Sequence, residues 1–130
     1  MLIGLLEDDL AIQEMLRLVF ESEGHAVTIY TNAENCLADL QVDNPQPGPF
    51  SPDLLVVDLR LSTSLPGTVV VERMRTNPRL ASLPVILMTA STFSDRQELA
   101  RLHVTLLAKP FDIDEVVQLV NKLTGQEELN

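Results

Sequence analysis

The chain is short of the groups on which much enzyme chemistry rests. Its one cysteine, Cys36, excludes an internal disulfide and a multi-cysteine zinc site. It also suits a reducing compartment, so a cytoplasmic location is expected. The two histidines, His25 and His103, stand far apart in sequence, which disfavours imidazole-rich metal sites and histidine-based triads. No apolar run approaches the ~20 residues of a membrane helix, and the N-terminus lacks the basic start of a secretory signal. No membrane partner is expected. Bases are scarce too: 9 Lys and Arg face 19 Asp and Glu, a net charge of −10. Phosphate backbones require basic surface, so direct nucleic-acid binding by this chain is not expected. Carboxylate chemistry remains.

What is present suffices for one domain. The 130 residues are 45% apolar, enough for a core. Leu2 to Leu6 is a short apolar run ending in acids and reads as a buried strand. From Leu10 to Glu23, Ile12, Met15, Leu16, Val19 and Phe20 fall on one helix face, and Gly24 supplies a stop. A strand over His25 to Tyr30 follows, then a helix from Ala33 to Leu40 capped by Thr31 or Asn32. Asp43 to Pro52 is too rich in proline for a regular element. Asp53 to Asp58 reads as a central parallel strand. A polar loop, Leu59 to Pro66, ends at Gly67, and a helix carrying Val69, Val70, Val71, Met74 and Arg75 closes at Pro78. Pro84 to Thr89 is a strand, and Ser94 caps a helix over Asp95 to Leu102. Val104 to Ala108 is a strand ended by Lys109-Pro110. Asp112 caps the last helix, with Ile113, Val116, Val117, Val120 and Leu123 on its inner face, and Gly125 stops it. Cys36, Met15, Met74 and Met88 read as core. Five β–α units in strict alternation imply a parallel sheet with helices on both faces.

Ligands of such sheets bind beyond the carboxyl ends of the strands. There the first strand ends in Glu7-Asp8-Asp9, the third in Asp58, the fourth in Thr89 and the fifth in Lys109. Converging carboxylates repel by about 4 kcal/mol per pair at ~4 Å and an effective dielectric of ~20, so they require a cation. Oxygen ligands without His or Cys select magnesium, manganese or calcium, and few protein ligands with an open sphere favour magnesium. A hydroxyl and an ammonium facing that metal suit a transferred phosphoryl group. Asp58 is the candidate nucleophile, giving an acyl phosphate.

In this order and spacing the chain resembles the receiver domains of two-component response regulators, the family of the chemotaxis regulator. The motifs are Glu7-Asp8, Asp58 within Asp-Leu-Leu-Val-Val-Asp-Leu, Thr89 within Pro-Val-Ile-Leu-Met-Thr-Ala, and Lys109-Pro110-Phe111. The resemblance covers residues 1–124, leaving 125–130 as a polar tail. It implies a flavodoxin-like, doubly wound, five-stranded parallel sheet of order 2-1-3-4-5. It further implies that Asp58 takes a phosphoryl group from a histidine kinase or phosphotransfer protein and that the domain then signals to an output protein or domain. Mg2+ would bind Asp8, Asp58 and the backbone carbonyl of Arg60, with Glu7 acting through metal-bound water. Thr89 and Lys109 would bind phosphoryl oxygens, and the Lys109–Pro110 bond would be cis. Such a module is a switch, not an enzyme.

Three departures from the family pattern stand out. Ser62 replaces the usual proline after the acceptor, and Gly67 lies nine residues past Asp58 where the family has eight. Leu106 stands where receivers commonly carry Tyr or Phe, so an aromatic that swings inward is absent and output would rely on loop and fourth-helix movement. Each motif alone has a plain reading: Glu7-Asp8-Asp9 as a solvated acidic turn, Asp58 as a strand-end acid, Thr89 as a strand cap, Lys109 as a surface lysine. Asp9 reads as an N-cap outside the metal set, while Arg60 and Ser91 border the pocket. Two other functions compete: a degenerate receiver that only binds protein partners, and an aspartyl-phosphate phosphohydrolase. The second needs an aspartate two residues after the nucleophile, where Arg60 stands. The sequence contains no output domain, which fits either a stand-alone receiver or one cut from a longer protein.

Overall fold

A computed structural model describes residues 1–42, 52–61, 65–90 and 96–125. Most of the proline-rich segment, Ser62, Ser91, the Ser94 cap and the tail from Gln126 lie outside the described residues. The order of elements is β1 (Leu2–Leu6), α1 (Leu10–Ser22), β2 (Ala26–Tyr30), α2 (Ala33–Leu40), β3 (Leu54–Asp58), α3 (Gly67–Arg75), β4 (Val85–Ala90), α4 (Arg96–Leu102), β5 (Thr105–Lys109) and α5 (Ile113–Thr124). The strands form one parallel sheet of order β2-β1-β3-β4-β5. Two cores flank it. One joins Cys36, Leu37 and Leu40 of α2, Val70, Val71 and Met74 of α3 and Leu102 of α4 to Leu55, Val57 and Leu87 of the sheet. The other joins Leu16, Val19 and Phe20 of α1 and Val116 and Val120 of α5 to Ile3, Leu5, Val56 and Met88. Helices therefore cover both faces, which explains why β3 is buried along its whole length and reads as an unbroken apolar run. No helix among the described residues is long and apolar enough to cross a membrane.

The caps follow local chemistry. Asn32, not Thr31, caps α2 by accepting from the Asn35 N–H at 2.8 Å. Asp9 caps α1, and Asp112 forms a reciprocal capping box with Glu115. Gly24 takes φ +89°, a conformation glycine adopts without steric penalty, and turns the chain from α1 into β2. Lys109–Pro110 is cis.

Periodicity misplaces two apolar side chains. Met15 is 36% exposed, and the buried stripe of α1 runs instead through Gln13, Leu16, Val19 and Phe20. Met15 stands about 100° round the helix from Leu16, at the edge of that stripe. Ile113 is 53% exposed, because α5 meets the core only from Val116 onward. The histidines divide: His25 is buried and His103 is exposed.

Arg75 secures the lower end of α4. Its guanidinium donates to the carbonyls of Leu102 (2.9 Å) and His103 (3.0 Å), where α4 ends, and to those of Leu80 (2.9 Å) and Leu83 (2.8 Å) before β4. A cation suits the negative end of a helix, and one planar fork here satisfies four acceptors. Burial pushes the Arg75 guanidinium downward from its ordinary pKa. Arg75→Met is expected to lower unfolding free energy by ~2 kcal/mol in a urea titration, from the carbonyls left without a donor.

Candidate functional site

The chain passes from β1 to β2 on one side of the sheet and then to β3 on the other, so the upper ends of β1 and β3 bound a crevice at the switch in direction. Glu7 and Asp8 leave the end of β1, and Asp58 ends β3. One carboxylate oxygen from each of Glu7, Asp8 and Asp58 can be chosen so that all three lie within 4.8 Å of one another. Glu7 is fully buried, Asp58 is 6% exposed and Asp8 is half-buried. Lys109, at the end of β5, reaches in with Nζ 3.4 Å from Asp58 Oδ2 and 3.6 Å from Glu7 Oε1. Thr89 is 4% exposed near the end of β4, whose next residue, Ala90, pairs in register with Lys109. The Arg60 N–H donates to Asp58 Oδ1 at 3.2 Å, which fixes the turn after β3, while the Arg60 side chain is exposed. The sequence-predicted residues Glu7, Asp8, Asp58 and Lys109 thus converge, with Thr89 on the adjoining strand and Arg60 on the rim. Asp53 lies at the other end of β3, where its Oδ2 accepts from the Leu2 N–H at 2.8 Å.

The site is electrostatically unbalanced. Neither carboxylate oxygen of Glu7 has a hydrogen-bond partner among the described residues. Burial first, then the neighbouring Asp58 carboxylate, pushes Glu7 up to about 8; Asp8 adds to the rise and Lys109 opposes it. A proton on Glu7 is thus one way for the protein to relieve the repulsion. A hard divalent cation is the other, and buried carboxylate oxygens with free lone pairs are the donors it takes.

Tyr30 supports the same corner. Its carbonyl accepts from the Glu7 N–H at 3.0 Å, and its buried hydroxyl donates to the Asp39 carboxylate on α2. Burial and that carboxylate both hold the phenol above its ordinary pKa.

Gly67 opens α3 against the backbone of Asp58. A Cβ there would lie 2.2 Å from the Asp58 carbonyl oxygen and 2.7 Å from Val57 Cγ1. Gly67→Ala is expected to cost roughly 2 kcal/mol of stability in a denaturant melt, because the Asp58 backbone must shift to admit the methyl group.

Sequence reasoning missed the contacts of Gln13, whose side-chain amide donates to the Glu7 carbonyl, and of Arg75. The only signal for Gln13 was a polar residue at the i, i+3, i+7 spacing it shares with Leu16 and Phe20.

The sequence pattern of the response regulator receiver domain matches residues 3–121. The chain belongs to this family. This receiver domain is 32% identical over 118 residues to a 14.6 kDa uncharacterised protein of Leptolyngbya boryana, covering 89% of this chain and 84% of that one. It is 30% identical over 122 residues to sporulation initiation phosphotransferase F of Bacillus subtilis, covering 91% and 89%. Against the DNA-binding transcriptional regulator NtrC of Salmonella typhimurium it is 30% identical over 123 residues, 93% of this chain but 24% of that protein. Among solved structures, Vibrio cholerae chemotaxis protein CheY4 superposes with a TM-score of 0.81 at 18% identity, over 94% of this chain and 97% of that one. The receiver domain of sensor histidine kinase PA1611 from Pseudomonas aeruginosa, with a magnesium ion coordinated in its active-site cleft, gives 0.79 at 23%, over 95% and 97%. The fold is the flavodoxin-like one of chemotaxis-type receivers, and the family is a signalling module of two-component phosphorelays.

Proposed function

We propose that this receiver domain accepts a phosphoryl group on Asp58 from a histidine kinase or phosphotransfer protein and then signals to an output protein or domain. The observation that carries the reading is the buried Asp58 carboxylate, 3.4 Å from the Lys109 ammonium and clustered with Glu7 and Asp8. The donor set fits magnesium. Asp8, Asp58 and the Arg60 carbonyl would hold it, with Glu7 acting through water, and bound there it neutralises the pocket and the incoming phosphoryl oxygens. In the chain's own chemistry, an Asp58 carboxylate oxygen attacks phosphorus and forms the acyl-phosphate bond. The phosphorus–nitrogen bond to the donor imidazole breaks, and its electron pair stays on that nitrogen. Lys109 neutralises one phosphoryl oxygen, and the Thr89 hydroxyl donates to another. The module acts in the cytoplasm, over residues 1–124, with the remainder as a tail. With Leu106 on β5 in place of an aromatic, output relies on loop and α4 movement with a different readout.

Incubation with acetyl phosphate and magnesium tests this. The mass rises by one phosphoryl group, and a chelator prevents the gain. No gain, either with acetyl phosphate or with a cognate kinase, replaces this reading with a domain that only binds protein partners. Fast multiple turnover of free phosphomonoesters would replace it with a hydrolase.

A further inference from the structure

The two acids that follow β1 share one peptide unit, and the backbone around them is tied on both sides. Upstream, the Glu7 N–H donates to the Tyr30 carbonyl at 3.0 Å. Downstream, the Asp9 carboxylate accepts from the N–H groups of Ala11 (2.9 Å) and Ile12 (3.2 Å). Between these ties stands the carbonyl of Glu7, which accepts from the side-chain amide of Gln13. Gln13 is 8% exposed, on the stripe of α1 that otherwise buries Leu16, Val19 and Phe20. An amide in that position costs stability unless it is hydrogen-bonded, and its partner here is the backbone of the carboxylate cluster.

We propose that Gln13 is a positioning residue for the divalent cation: by holding the Glu7 carbonyl it ties the Glu7–Asp8 backbone to α1, and so fixes the place from which both carboxylates reach toward Asp58. The inference rests on the receiver reading of this site. A peptide unit is planar and rigid, so a bond to the Glu7 carbonyl restrains the Cα atoms of Glu7 and Asp8 at its two ends, from which both side chains branch. Once Glu7 ionises, repulsion among the three close carboxylates drives a backbone shift that would spread them. Gln13 resists it from a rigid base, since α1 is anchored by Leu16 and Phe20, at 0% and 1% exposure. The carboxylates are thus held together before a cation arrives, and the cation does not itself have to gather them.

Calorimetric titration of the full chain with magnesium chloride tests the proposal on Gln13→Met and Gln13→Asn, with Leu40→Ala on α2 as control. The methionine keeps the volume and loses the donor. The asparagine keeps the amide but is one methylene too short, and it carries the test if the methionine variant does not fold. Both variants are expected to bind Mg2+ ~10-fold more weakly than the parent, the usual effect of losing a group that orients a ligand. Leu40→Ala lowers the melting temperature but leaves Mg2+ affinity unchanged, because it loosens the core on the opposite face of the sheet without touching α1 or the acidic turn. Folded Gln13→Met and Gln13→Asn proteins that bind Mg2+ as tightly as the parent overturn the role of Gln13 and leave the receiver reading intact. A parent chain that takes up no Mg2+ overturns both.

Discussion

Asp58→Asn gains no phosphoryl group from acetyl phosphate and magnesium under conditions where the parent chain gains one. The substitution is nearly isosteric, and its side-chain oxygen can still accept from the Arg60 N–H, so the turn after β3 persists. The nucleophile is lost, because an amide oxygen has little tendency to attack phosphorus. The ion pair with Lys109 is lost with it. Intact-protein mass spectrometry reads the outcome directly. A phosphoryl group retained by the asparagine variant would move the acceptor to another residue of the cluster and sink the assignment of Asp58.

A second large effect is the pH dependence of stability without metal. Glu7 is raised from 4.5 to about 8 in the folded protein, by burial first and by Asp58 next. A group raised in this way contributes stability that is fully present below 4.5 and is lost as pH rises through about 8. From about pH 6 to about pH 8 the unfolded chain has already released this proton while the folded chain still largely retains it, so roughly 2 kcal/mol of unfolding free energy disappears over that interval. Urea titrations at a series of pH values in chelator are expected to show the decline. Excess magnesium flattens it by favouring the ionised carboxylate. Glu7→Gln flattens it as well, because no proton remains to be lost. An equally steep decline in Glu7→Gln would assign the pH dependence to other groups.

The strands and the site were legible in the sequence for one physical reason. Each strand is a short, mostly apolar run, and four of the five read as ending in a polar group on the ligand side, so Glu7, Asp8, Asp58, Thr89 and Lys109 announce themselves locally. A parallel sheet brings those ends together without further information from side chains. Gln13 and Arg75 were not legible, since each bonds to backbone carbonyls and every residue offers one. Met15 and Ile113 were misplaced because helical periodicity gives the direction of an apolar face, while the width of that face and where it meets the core depend on packing. Gly67 marked a helix start, but its close approach to the Asp58 carbonyl exists only once α3 lies against β3.

Tyr30 is the single tyrosine of a chain without tryptophan. Its ring is buried with its hydroxyl on Asp39, and its own carbonyl receives the Glu7 N–H. The near-ultraviolet emission of the unlabelled protein therefore originates almost entirely from one fluorophore seated against the acidic corner. Quenching of that phenol by its carboxylate neighbour makes the signal an internal gauge of how α2 and the end of β2 sit, recorded without a dye or an introduced probe.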